Sequence, residues 1–326
     1  MSYMRMAALL LILALASLTG CGDSGSNKAS PTAQPTAEAA RPTNETAQPA
    51  AETAQSTIEM TMEALATPNI VGGAQKAELS KLGEIAFVLD DDIWVIDADG
   101  SDLRNLTNND LNNIEPAWSP DGRYIAFRSG GDIYVMDADG ANLRKLTNDH
   151  ANGEPGWLPD GRIVYECGGK DCWSVMDADG SNSHCLVDWL PVGASPAWSP
   201  DGRSVAFVSS DDDLYVAAAD GSNPQALTHL EGGEVRDPTW SPDGRHIAFG
   251  WDPYDGDDAI YVTEADGSNQ RQVAQGEYPT WSPDGRYIAF FVFHGVEIWV
   301  IEADGSNPRI LDALAVGTEL AWSPVP

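Results

Sequence analysis

Four acidic side chains stand at one repeated place in this chain. Glu115, Glu154, Asp237 and Glu319 each lie three residues before a tryptophan, and Ser195 and Tyr278 fill the same place elsewhere. If the segments carrying them converge, the carboxylates repel unless a cation or water comes between them. Oxygen ligands of this kind suit hard cations such as calcium or magnesium. Without a ligand the same set is a solvated acidic rim. Cys167 and Cys172 flank Gly168-Gly169-Lys170-Asp171, which fits a hairpin tip. They form either a cross-hairpin disulfide or two thiols, with Cys185 left over. A third group is aromatic: Trp251 and Tyr254 within 250–258, and Phe293 with His294. Exposed aromatics are frequent binding anchors; the other reading is loop packing. No acid–base pair with catalytic spacing and no Gly-x-Ser-x-Gly elbow is legible, and the five histidines are scattered.

The elements that position these residues follow from a repeat. Trp118, Trp157, Trp198, Trp240, Trp281 and Trp322 recur at spacings of 39, 41, 42, 41 and 41. Around them stands Pro-x-Trp-Ser-Pro-Asp-Gly-Arg, as in Pro116–Arg123. A short apolar run follows (Ile125-Ala126-Phe127), then a second (Ile133 to Met136), then Asp-Ala-Asp-Gly at 137–140, then a polar stretch ending in Leu146-Thr147. The runs are too short for helices and are rich in β-branched and aromatic residues, so each unit is four short strands. Ser-Pro-Asp-Gly has the composition of a type I turn, and the second Asp-Gly is a hairpin signal, not a calcium loop.

Four strands per 41-residue unit, repeated in a circle, make a β-propeller. Six Trp and six Asp-Gly hairpins imply six blades. The first unit, starting at Gly83, lacks its Trp strand, and the chain ends on one at Trp322. The C-terminal strand is therefore expected to complete the first blade, removing an open edge. The fold expected is all-β: a six-bladed propeller over 81–326. The Trp residues are expected in the core between blades. Arg123, Arg162, Arg203, Arg245 and Arg286 are expected to pair with turn aspartates. Loops on the opposite face vary between units, and variation on a uniform scaffold is where binding resides.

Ahead of the repeat, Ala7–Leu18 is an apolar run of signal-peptide length, too short to span a bilayer. It ends in Leu18-Thr19-Gly20-Cys21, which resembles the lipobox of bacterial lipoproteins. The resemblance implies cleavage after residue 20 and lipidation of Cys21. Residues 21–80 are rich in Ala, Thr, Pro, Glu and Gln with almost no aromatics, and so are expected to be a disordered tether. As a flexible coil it reaches roughly 40–45 Å.

The string Trp-Ser-Pro-Asp-Gly-Arg, Ile-Ala-Phe, Ile-Tyr-Val-Met-Asp-Ala-Asp-Gly resembles the WD40-like repeat of TolB-type propellers, and it recurs throughout 81–326. The resemblance implies a six-bladed propeller that binds a lipoprotein partner in the periplasm. The chain departs from that family in carrying a low-complexity tether ahead of the propeller and a lipidation motif. Acidic residues outnumber basic ones 50 to 18 in 326 residues, for a net charge of −32. That disfavours nucleic acid and anionic lipid surfaces and favours basic partners. The expectation is a monomeric, non-enzymatic head, lipid-anchored outside the cytoplasmic membrane, that binds an envelope protein or peptide. The alternative is a divalent-cation-dependent enzyme or ligand sensor using the acidic channel mouth.

Overall fold

The computed structural model describes residues 73–168, 171–191, 193–292, 297–312 and 317–324. Cys21, the signal segment, the tether up to residue 72, Phe293 and His294 lie outside the described residues.

Six antiparallel sheets of four strands form the blades. Blade 1 joins β1 (Glu84–Leu89), β2 (Asp92–Asp97) and β3 (Arg104–Asn105) to the last strand, β24 (Gly317–Trp322). Blade 2 holds β4 (Asn113–Trp118), β5 (Tyr124–Ser129), β6 (Asp132–Asp137) and β7 (Arg144–Lys145). Blade 3 holds β8 (Asn152–Trp157), β9 (Ile163–Gly168), β10 (Asp171–Met176) and β11 (His184–Val187). Blade 4 holds β12 (Ala197–Trp198), β13 (Ser204–Val208), β14 (Leu214–Ala218) and β15 (Gln225–Ala226). Blade 5 holds β16 (Gly233–Trp240), β17 (His246–Pro253), β18 (Ala259–Glu264) and β19 (Arg271–Gln275). Blade 6 holds β20 (Glu277–Trp281), β21 (Tyr287–Val292), β22 (Glu297–Glu302) and β23 (Arg309–Asp312). The expected closure is present: β24 pairs with β1, Trp322 against Ile85.

Both faces of each blade are buried, and the alternation of a strand divides its residues between two neighbours. Ile125 and Phe127 of β5 pack with Ala86, Val88 and Val95 of blade 1. Ala126, between them, points the other way, onto Ile163, Tyr165 and Met176 of blade 3. Phe127 is wholly buried, which contributes about 1.5–3 kcal/mol. The Trp residues lie at these seams. Trp118, Trp157, Trp240 and Trp281 donate their indole N–H to Ala321, Ala117, Ala197 and Thr239 carbonyls, one blade back, at 2.9–3.2 Å. The carbonyl used is that of the small residue preceding the neighbour's own Trp.

The Ser-Pro-Asp-Gly turns explain their own sequence. Ser119 Oγ accepts from Tyr124 N–H at 2.9 Å and donates to Asp121 at 2.7 Å, while Gly122 takes φ 67°. The same bonds recur at Ser199, Ser241 and Ser282. Arg162, Arg203 and Arg245 pair with the turn aspartate as expected, at 2.7, 4.0 and 3.9 Å. Arg123 and Arg286 instead lie over the rings of Tyr124 and Tyr287.

One boundary differs. Gly73–Leu79, inside the stretch expected to be tether, is a helix, α1. Leu79 and Leu82 are buried against Ile85, Tyr287 and Trp322. Two leucines were enough apolar surface to fix the segment at the seam of blades 6 and 1.

Candidate functional site

In blades 2 to 6 the chain enters by the Trp strand, which begins at the end opposite the Ser-Pro-Asp-Gly turn; in blade 1 that strand is the last, β24. The six residues three before the Trp all take a left-handed backbone: Glu115 φ 58°, Glu154 45°, Ser195 42°, Asp237 49°, Tyr278 54° and Glu319 56°. Non-glycine residues rarely do so, and each costs of order 1–3 kcal/mol. In every blade but the fourth, where β12 starts only at Ala197, the cause is a bulge. Pairing with the second strand slips between Ile114 and Ala117, Gly153 and Gly156, Arg236 and Thr239, and Glu277 and Thr280. A bulge re-aims the side chain it carries, here toward the channel.

The carboxylates meet, but as links in a chain of hydrogen bonds. Glu319 Oε2 accepts from the backbone N–H of Glu115. Glu115 Oε2 accepts from Glu154 N–H at 2.5 Å. Glu154 in turn accepts from Ser195 N–H. The relay therefore runs through blades 1, 2, 3 and 4 and ends at the short side chain of Ser195. Among the described residues no group of three or more His, Cys, Asp or Glu side chains is placed to hold a metal ion. Of the expected set, Glu115, Glu154 and Glu319 are turned onto the backbone of a neighbouring blade, while Asp237 is buried beside the charges of Arg236 and Glu277.

The relay has an electrostatic consequence. Burial raises Glu154 from 4.5 to about 7, helped by the charges of Glu166, Glu115 and Asp237. Burial likewise raises Glu319 to about 7 and Asp237 to about 6. Tyr278 is pushed up to about 12 by burial and by Asp237 and Glu319. Two cations temper the rim: Arg128 reaches Glu115 at 3.1 Å, and Arg236 reaches Asp252 at 2.6 Å. Glu154 keeps one oxygen, Oε2, buried without a hydrogen-bond partner.

On the side where the relay stops, the wall opens. β12 has two residues, against six in β4 and eight in β16. A cavity of about 560 Å³ lies there, lined by Ser195, Val208, Asp212, Arg236, Asp237 and Tyr278 among others, and reaching Glu115, Glu154 and Glu319.

The aromatic expectation divides. Trp251 is not a surface anchor: it is 9% exposed and packs with Val235 and Phe249. The reason is strand length. β16 and β17 run eight residues each, so Trp251 is still paired, with Val235 on one side and Ala259 on the other. The loop shrinks to 254–258, where Tyr254 is 67% exposed. Cys172 stands directly opposite Cys167 in the β9–β10 register, both as thiols.

Sequence reasoning missed Arg128, Glu166 and Arg236. A signal existed for the first two. The residue after the Phe or Tyr of each second strand is Val88, Arg128, Glu166, Val208, Gly250 and Phe291. Only blades 2 and 3 place a charge there, and both charges face the channel carboxylates.

The family described as the TolB beta propeller domain matches residues 170–292. Among solved structures, TolB from Acinetobacter baumannii superposes with a TM-score of 0.64 at 19% identity, over 75% of this chain and 67% of that one. The fold is a six-bladed propeller similar to that of TolB. A protein assigned as TolB from Agrobacterium tumefaciens gives 0.58 at 24% identity, over 74% of this chain and 94% of its own. In sequence, the Tol-Pal system protein TolB of Nitratidesulfovibrio vulgaris is 42% identical over 48 residues, 13% of this chain. The match spans 11% of that relative's length. These likenesses carry the TolB-like fold.

Proposed function

We propose that this chain is an extracytoplasmic lipoprotein whose TolB-like propeller holds a segment of an envelope protein at the channel mouth, without catalysing a reaction. The observation that carries this reading is the contrast between the two faces. The turn face repeats the same hydrogen bonds at Ser119, Ser199, Ser241 and Ser282. The mouth face is less uniform: its equivalent positions hold Glu115, Glu154, Ser195, Asp237, Tyr278 and Glu319, and it opens into the cavity of about 560 Å³ beside Ser195. A structural ring gains nothing from such variety; a partner-specific surface requires it. The name of the N. vulgaris relative, a Tol-Pal system protein, supports an envelope setting. The Leu18-Thr19-Gly20-Cys21 motif supports anchoring through Cys21.

The partner segment is basic. The rim carries Glu115, Glu154, Asp212, Glu234, Asp237 and Glu319 against Arg128 and Arg236. Complementary charge speeds encounter and excludes acidic competitors. The test is site-specific photo-crosslinking of the full-length protein in its host. A photoreactive residue at Ser195 should capture one envelope protein, and the same probe at Asp243 on the turn face should not. Equal capture at both places, or none at Ser195, overturns the reading.

A further inference from the structure

We propose that Cys167 and Cys172 are a reversible redox site: they close into a disulfide across the hairpin of blade 3 and reopen under mild thiol reductant. The proposal does not depend on what the mouth binds.

The register carries it. Cys172 lies directly opposite Cys167, and opposed residues of an antiparallel pair share one face of the sheet. The kind of pair can be read from the other neighbour. Cys167 also faces Asn152, and there Gly168 N–H donates to Ala151 O. That offset bond marks Asn152 and Cys167 as a non-hydrogen-bonded pair. The N–H and C=O of Cys167 therefore turn toward β10, and the two cysteines form a hydrogen-bonded pair. Such pairs hold their Cα atoms about 5.5 Å apart, inside the span that disulfides bridge. Their Cβ atoms sit near 5 Å, wider than the ~3.8 Å a disulfide adopts. Closing the bond must draw the strands together, and the strain makes the bond easier to reduce.

Exposure sets the order of events. Cys167 is 5% exposed and packs with Ile163, Tyr165 and Met176 of its own blade and Ile133 of blade 2. Cys172 is half-buried, with Sγ 3.9 Å from Ser174 Oγ. A disulfide oxidant in solvent meets Cys172 first. The Cys172 thiolate attacks one sulfur of the oxidant, whose other sulfur leaves as the first thiol, and a mixed disulfide remains on Cys172. The Cys167 thiolate then attacks Cys172 Sγ and expels the second thiol. In balance, the protein gives up two protons and two electrons, and one oxidant disulfide becomes two thiols. Cys185 lies opposite Ser174, not opposite either cysteine of the pair.

The test uses the full-length protein carrying Cys185→Ser, with oxidised glutathione as the oxidant. Trypsin, applied without reductant, cuts after Lys170 and puts Cys167 on 163–170 and Cys172 on 171–203. The expected product is these two peptides joined, two hydrogens lighter than their sum, and lost again after reduced glutathione is added. In Cys167→Ala, Cys172 should stop as a glutathione adduct. In Cys172→Ser, Cys167 should react far more slowly. Both cysteines remaining alkylatable after oxidation overturns the proposal. So does a linked pair that resists reduced glutathione, or a Cys167 that is modified as fast as Cys172.

Discussion

Trp322 donates its indole N–H to the main-chain carbonyl of Leu82, 2.7 Å away. The indoles of Trp118, Trp157, Trp240 and Trp281 each donate to the preceding blade. At the closing seam the N-terminal segment has taken that place. The backbone N–H of Trp322 reaches blade 6 through Thr280 Oγ1 instead. The ring is thus closed twice, by β24 completing blade 1 and by α1 with Leu82 covering the seam.

Leu79→Ala should therefore destabilise the whole propeller, although Leu79 precedes the first strand. Its side chain is wholly buried, and leucine-to-alanine changes at such places cost about 2–5 kcal/mol. Trp322→Phe keeps most of the packing, loses the donor, and should cost about 1–2 kcal/mol. Chemical denaturation of the full-length protein measures both. A Leu79→Ala protein with an unchanged midpoint would mean that α1 is an ornament.

The channel carboxylates make stability depend on pH in an unusual direction. Glu154 and Glu319, ordinarily near 4.5, titrate at about 7 in the fold, chiefly through burial. The native state binds more protons than the unfolded chain between these values. The stability these groups contribute is fully present below 4.5 and lost as pH rises through 7. The propeller should be more stable at pH 5.5 than at pH 8. Asp121, Asp201 and Asp243, held below 3.8 by bonds from their turn serines, reverse the trend in stronger acid. Glu154→Gln should gain about 1–2 kcal/mol at pH 8 and show little gain at pH 5.5. Melting curves across pH decide this, and greater stability at pH 8 in the parent would refute it.

Much of this was legible in the sequence, and the limits have physical causes. The Trp spacing and the offset between the Trp and Asp-Gly series were enough for six blades and a C-terminal closing strand, because each unit repeats a full set of local rules. The acidic column before the Trp was also visible. Its role was not, because Glu115 and Glu319 are occupied by backbone N–H groups of other blades, partners that no local spacing reveals. The burial of Trp251 was hidden for a related reason. Its position relative to the loop depends on how far β16 and β17 pair, and glycines at 250 and 256 suggest an earlier turn than the one formed.

That difference is itself testable. Trp251→Ala should cost about 3–5 kcal/mol, as for a buried aromatic. Tyr254→Ala, three residues on, should change stability by no more than about 0.5 kcal/mol, since its ring is 67% exposed. If Tyr254 contacts the partner, its replacement weakens binding with an unchanged melt, whereas Trp251→Ala lowers both. Parallel denaturation and binding measurements separate the two outcomes.

The mouth should bind its partner in a salt-dependent way. Asp212 and Glu234 line the cavity without belonging to the buried relay. Asp212 has φ 64°, which asparagine tolerates. The double change Asp212→Asn and Glu234→Gln removes two negative charges and leaves the Glu319–Glu115–Glu154 chain intact. Rim charges act on encounter more than on dissociation. The association rate with the captured partner should therefore fall roughly tenfold at low ionic strength. The difference should shrink as salt shortens the screening length. Surface-capture kinetics at several salt concentrations read this directly. An unchanged association rate, or a faster one at low salt, would mean that the partner's contact is not basic, and the electrostatic half of the proposed function would fall with it.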